Sequence, residues 1–300
     1  MTEIRSFNRT DREQLTELVN AHIAVVVPGW AVPVAALLGQ LEREPGEYVV
    51  DPWVMERMTL VSVVQDRVVA GAHLKRYADD PRVSEAYADS AEITWLVCWP
   101  ENVEAGHALA QACVRVLEAW GGRHHWADGA LPTPATYGVA DAWPHVRAIL
   151  ERAGFRDEGA QIEVHLAGPL DDVPSPGPAP IEGLVLQREL GNMATRFAAR
   201  LEGEVLGFLH VRDDLTRGGS MSRLTGWSDM WELYVEPGHR SRGIGTWLVE
   251  HAVDWLRLGR TERILVTLSG DDVEAGVDRF LARFGWREIG RTRRGWKRQV

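Results

Sequence analysis

The run Met230-Trp231-Glu232-Leu233-Tyr234-Val235, continued by Glu236-Pro237-Gly238-His239-Arg240-Ser241-Arg242-Gly243-Ile244-Gly245, constrains this chain more than any other stretch. Its aromatic and β-branched residues favour a strand, and Pro237, which has no N–H to give to a ladder, stops it. Beyond the glycines, apolar residues at 244, 247, 248, 252, 255 and 256 follow the three- and four-residue spacing of a helix face. A strand therefore bends through a glycine-rich turn directly into a helix. The first N–H groups of such a helix have no partner in their own turn, and the helix dipole adds positive potential at the same spot. Gly243 and Gly245 keep side chains away while Arg240 and Arg242 bring charge, so the bend reads as a diphosphate cradle.

Three hundred residues suit two domains of about 150 each. The seam is Gly168–Pro180, with five prolines in thirteen residues, a density that prevents helix and sheet pairing. The reading is an N-terminal domain over 1–167, a connector over 168–180 and a C-terminal domain over 181–300. In the first, the pattern predicts a strand at Glu3–Phe7 and a helix at Thr10–Val27, with Thr10 as N-cap and Glu13 three residues on. A helix follows at Pro33–Arg43, then strands at Met58–Gln65, Arg67–Lys75 and Ala91–Trp99. A helix at Val103–Trp120, a strand at Arg123–Ala127, a helix at Trp143–Ala153 and extended chain from Phe155 to Leu166 complete it. The second repeats much of this without the opening helices. Its strands are expected at Leu184–Leu190, Thr195–Leu201, Val205–Val211, Asp229–Val235 and Arg263–Leu268, and its helices at Gly243–Leu258 and Val273–Phe284.

The halves can be laid on one another. Cys98 to Ala108 falls on Val235 to Gly245 at an offset of 137, and Ile149-Leu150-Glu151-Arg152-Ala153-Gly154-Phe155 falls on Phe280-Leu281-Ala282-Arg283-Phe284-Gly285-Trp286 at an offset of 131. Two anchors in one order point to a duplicated domain.

On these residues the chain resembles the GCN5-related N-acetyltransferase (GNAT) superfamily. The family's Arg/Gln-x-x-Gly-x-Gly/Ala motif, after a Leu-Tyr-Val-type strand, is matched by Arg240 to Gly245 after Leu233, Tyr234 and Val235. Its closing Gly-Phe is matched by Gly285-Trp286 and by Gly154-Phe155. The resemblance covers essentially all of the second half and, more loosely, the first. It implies an α+β fold of two tandem GNAT-like domains, each a mixed, mostly antiparallel twisted sheet flanked by helices. It further implies acetyl-CoA as co-substrate. Leu233, Tyr234 and Val235 would line the pantetheine arm, and the N–H groups of Arg242, Gly243, Ile244, Gly245 and Thr246 would hold the pyrophosphate beside Arg240.

Direct attack by an amine on an acetyl thioester needs a base for the ammonium proton. Glu232 and Asp229 lie on the motif strand, on opposite faces because strand side chains alternate. Glu232 is the first choice of base and Asp229 the second, against a solvated or ion-paired carboxylate. Where many relatives carry a tyrosine acid this chain has Leu281. A thiol of pKa near 8.5 can leave unprotonated, so turnover does not require that tyrosine. Ser269 and Asp272 fall where relatives often hold the pantetheine, though a plain loop is the simpler reading. In the first half Val103 and Ala105 replace the arginines and Trp95 stands at the Glu232 position, while Gly106 and Ala108 persist. That copy reads as structural, shaping the acceptor pocket. Trp227 and Trp231 could wall an acceptor, His124-His125 reads as strand surface, and the tail Arg291–Arg298 could reach the 3′-phosphate of CoA, though a solvated charge run is the simpler reading.

Residues 1–170 carry 24 acidic and 14 basic side chains and the remainder 19 of each, giving the net charge of −10. An acidic half repels phosphate backbones, which argues against nucleic acid and for a cationic small-molecule amine as acceptor. No apolar run is long enough for a membrane span, the N-terminus lacks a secretory pattern, and Cys98 and Cys113 form neither a disulfide scaffold nor a metal site. A cytoplasmic N-acetyltransferase without a metal is expected, and a homodimer remains open. Two rivals stand beside it, a non-catalytic acyl-CoA-binding protein and a protein N-acetyltransferase.

Overall fold

The computed structural model describes residues 2–42, 53–81, 83–132, 137–191, 194–212 and 226–299. Two compact units are formed. Among the described residues the first comprises 2–163 with 290–299, and the second 164–212 with 226–289.

The first unit contains β1 (Thr2–Ser6), α1 (Arg12–Val26), α2 (Val34–Leu41), β2 (Val54–Val64), β3 (Arg67–Tyr77), β4 (Ser90–Cys98), α3 (Val103–Trp120), β5 (His124–Ala127), β6 (Val139–Ala140) and α4 (Pro144–Arg152). The unit boundary falls inside β7 (Arg156–Pro169). The second unit continues with β8 (Val185–Gly191), β9 (Ala194–Leu201), β10 (Glu204–Arg212), β11 (Trp227–Val235), α5 (Ile244–Leu258), β12 (Arg263–Ser269), α6 (Gly270–Glu274) and α7 (Val277–Leu281). The closing strand β13 (Arg287–Arg298) begins there and ends in the first unit.

In the first unit β1, β2, β3, β4 and β5 follow in order, and residues 292–298 of β13 then pair antiparallel with β5 and β6. The second unit runs β8, β9, β10, β11, β12 and then β7. Each has one parallel pair, β4 with β5 and β11 with β12. The β2–β3 turn needs two left-handed residues, supplied by Gln65 and Asp66 at φ 50° and 61°. Each sheet is packed by helices. On α1, Leu15, Leu18, Val19 and Ile23 are wholly buried, each contributing roughly 1.5–3 kcal/mol of transfer free energy. Gly106 lets α3 approach β4, since a Cβ there would lie 2.9 Å from Cys98 Sγ.

The duplication seen in sequence extends to a shared irregularity. β4 and β11 have equal length, and each contains one bulged residue at the same offset. Thr94 is skipped between the pairs His73–Trp95 and Leu74–Ile93, and Trp231 between His210–Glu232 and Val211–Met230.

Several local expectations are corrected. The first helix is capped by Asn8, two residues before Thr10. Asn8 Oδ1 accepts from Thr10 N–H at 3.1 Å, and Asp11 accepts from Asn8 N–H at 2.8 Å, closing a capping box over a 3₁₀ turn. The expected helix at Val273–Phe284 is two short helices, because Gly276 adopts φ +84° between α6 and α7. His125 is fully buried rather than on a strand surface. The proline-rich connector packs on the second unit, with Leu170 and Val173 buried and their carbonyls receiving the Arg257 guanidinium. The basic tail is a paired strand of the first unit. There Arg294 meets Asp128 through two hydrogen bonds of 3.2 and 3.0 Å, and Arg298 meets Glu118 at 2.7 Å.

Candidate active site

β11 carries both carboxylates, and its bulge decides where they point. On an unbroken strand, residues 229 and 232 would face opposite ways. The extra residue at Trp231 restores the phase: Glu232 pairs with His210 and Asp229 with Arg212, two residues of β10 that share a face. Asp229 and Glu232 therefore lie on one side, which corrects the regular alternation. Glu232 is exposed and its Oε2 lies 2.9 Å from His210 Nδ1. Asp229 is largely buried, with Arg212 4.0 Å away. Burial pushes its carboxyl up to about 6, and Arg212 only partly opposes that. Trp231 is 47% exposed, with the Arg212 guanidinium over its ring and the His210 imidazole at its edge. Trp227 instead lies under Arg263.

After Val235 the chain makes a 3₁₀ turn, Pro237–His239, and passes Ser241 at φ 59° and Gly243 at φ 88° before α5 begins. Both residues are in the left-handed region, which glycine enters without the steric penalty a Cβ brings. Gly243 accepts the first bond of the new helix, from Trp247 N–H at 3.0 Å. The N–H groups of Ile244, Gly245 and Thr246 precede that bond and are the unspent donors of the helix start. Arg240, Arg242 and Gly243 are all exposed. Arg240 also ties the turn to the strand, its Nε donating to the Val235 carbonyl at 3.0 Å, while Arg242 meets His239 at 3.3 Å.

Parallel pairing of β11 with β12 ends at Met230–Val266, though both strands continue. Between them opens a cleft of about 160 Å³ lined by Trp231, Glu232, Leu233, Thr267, Asp272 and Leu281, among others. Leu281 is wholly buried and gives the cleft an apolar wall. Ser269 and Asp272 form the capping box of α6, with Ser269 N–H donating to Asp272 at 2.9 Å. Leu233, Tyr234 and Val235 are half-buried along the same strand, which leads from the cleft to the turn. A polar dyad, a cleft and an anion-attracting helix start are thus threaded on one segment of chain. His210 is the member that the sequence reading missed. Only the pairing register, which sets it opposite Glu232, could have found it.

Residues 169–286 match the Acetyltransferase (GNAT) family. Over those residues the second unit is similar to a GNAT acetyltransferase domain. Solved structures extend the likeness in fold to the whole chain. A tandem GNAT protein from the clavulanic acid biosynthesis pathway superposes with a TM-score of 0.65 at 15% identity, covering 99% of this chain and 97% of that one. A GCN5-related N-acetyltransferase from Sphaerobacter thermophilus gives 0.63 at 13% identity, covering 100% and 97%. A glucosamine N-acetyltransferase region of a fungal multi-domain β-N-acetylglucosaminidase gives 0.64 at 16% identity, and there this chain spans 38% of the other. No curated protein matches the sequence.

The first unit keeps the GNAT-like layout but closes the corresponding gap. Beyond the β4–β5 pairs, Asp128 N–H donates to the Ile93 carbonyl at 3.1 Å and Ala130 N–H to the Thr94 carbonyl at 2.7 Å. The ladder continues where β11 and β12 stop pairing. Trp95, at the Glu232 position, is fully buried and donates its indole N–H to Gln40 at 2.7 Å. Among the described residues no cluster of metal-ligating side chains is present, and no helix is long and apolar enough to cross a membrane.

Proposed function

We propose that this protein transfers an acetyl group from acetyl-CoA to the amine of a small molecule, using the second unit. The observation that carries the reading is the continuity of β11, from Asp229 and Glu232 through the cleft to the glycine turn at the start of α5. The residues fit the co-substrate. Three unspent N–H groups and two exposed arginines suit a diphosphate, and an apolar-walled cleft suits a pantetheine end. When bound, acetyl-CoA supplies the acetyl thioester.

Asp229, with its carboxyl near 6, takes the proton that an incoming ammonium must lose close to neutral pH. Glu232 draws that cation to the cleft mouth, and its contact with His210 fixes the imidazole for relay to solvent. Trp231 presents an exposed ring on which an amine can rest. The acidic first half favours cationic acceptors at long range. A cytoplasmic setting accords with two buried free cysteines.

The test is thiol release from acetyl-CoA, measured with Ellman's reagent against panels of small amines and of peptides. Release with small amines, falling about tenfold or more in Asp229→Asn, supports the reading. Release with peptides alone would replace it by protein acetylation. Leu281 in the cleft wall favours a second reading, an acyl-CoA-binding protein without turnover. Acetyl-CoA binding without release for any acceptor would establish that one.

A further inference from the structure

The first unit has a cavity of its own, about 650 Å³, lined in part by Glu92 and Thr94 of the bulged strand β4. Its floor is Glu92, which stands at the position of Asp229 when β4 is laid on β11. Glu92 is 3% exposed. Its Oε1 accepts from Tyr77 Oη at 2.9 Å and from Thr94 Oγ1 at 2.7 Å. Oε2 has no hydrogen-bond partner among the described residues. Lys75 lies directly across in the β3–β4 register and its charge acts on Glu92, though among the described residues no ion pair within 4.0 Å joins them. A carboxylate withdrawn from water is costly unless paired, so a half-satisfied one facing a cavity is a group held for something that enters.

The surroundings define what enters. Asp128, a second carboxylate on the cavity wall, is already paired with Arg294. Burial and then Asp128 push the Glu92 carboxyl above its ordinary range, Lys75 and the Thr94 and Tyr77 hydroxyls only partly oppose that, and a cation beside it would add to the opposition. Tyr77, Tyr87, Tyr137 and Trp53 contribute aromatic rings to the lining, whose faces attract ammonium groups. Lys75 shares the lining and sets a limit, because a polycation would meet its charge. We propose that this cavity binds a small monoamine in its protonated form, with the ammonium seated on the free oxygen of Glu92. The site is separate from acetyl transfer in the second unit and does not rest on that activity. Val103 and Ala105 in place of arginines, with the ladder closed at Ala130, make it a binding site and not a second reaction centre.

The experiment is calorimetric titration of the full chain with 2-phenylethylamine, its uncharged analogue 2-phenylethanol, and cadaverine. The wild type should bind 2-phenylethylamine at least about tenfold more tightly than either of the others. Glu92→Gln, which keeps an acceptor for Tyr77 and Thr94 but loses the charge, should weaken it by about tenfold or more. Asp229→Asn should leave this binding unchanged. Ser84→Trp enlarges an exposed rim residue without touching the core, and should block entry whether or not Glu92→Gln folds. No binding at ~10 mM, equal affinity for amine and alcohol, or a loss that follows Asp229→Asn instead of Glu92→Gln would each overturn the proposal.

Discussion

Asp229 should make the second unit less stable than it would be with a neutral side chain, by an amount that depends on pH. Its carboxyl titrates near 6 in the fold against an ordinary 3.8. A folded-state value above the unfolded one means the native state holds the proton more tightly. Stability therefore falls as pH rises from about 4 to about 6 and is flat beyond. A gap of roughly two pH units at 1.36 kcal/mol each gives a cost of about 3 kcal/mol at pH 7.5, and about 1.6 kcal/mol at pH 5. Asp229→Asn removes the ionisation but leaves an amide with incomplete hydrogen bonding, a pH-independent penalty of ~1 kcal/mol. The variant should thus exceed the wild type by ~2 kcal/mol at pH 7.5 and by only ~0.5 kcal/mol at pH 5. Urea unfolding at both pH values measures this, read on the transition that Leu256→Ala, a core change in α5, also moves. An advantage equal at the two pH values would refute the argument that burial controls this carboxyl. The same variant should lose activity, since a neutral amide takes no proton.

Arg294→Met should destabilise the first unit by about 3 kcal/mol, because it leaves Asp128, with a side chain 7% exposed, charged and unpaired; an unchanged urea midpoint would mean that the tail is only surface charge. His210→Gln should lower kcat by about tenfold, with KM for acetyl-CoA unchanged. A proportional rise in KM would instead assign His210 to binding.

Much of the fold was legible because the signals were local. The strand–turn–helix at β11 and α5 was visible from Pro237, two glycines and a three- and four-residue apolar spacing. The bounds of α3 coincide with the apolar stripe that defines it. What stayed hidden was set by pairing and packing. The bulge at Trp231 leaves no mark in composition, yet it brings Asp229 and Glu232 to one face. His210 gains its meaning only from register. Arg293, Arg294 and Arg298 look like a solvated run until β13 pairs with β5 and β6 and each finds a carboxylate. Gly276 breaks a helix that its apolar spacing alone would continue. Glu92 was within reach, since the offset that aligned Cys98 with Val235 also sets it on Asp229.

The central claim is that the second unit alone holds the co-substrate, on the turn that leads into α5. Calorimetric titration of acetyl-CoA into the full chain tests it most directly, with Gly243→Asp as the control that places bulk and negative charge at the helix start. One site per chain, lost in Gly243→Asp, is the result the account predicts. Two sites, binding that survives Gly243→Asp, or no binding at all would contradict it.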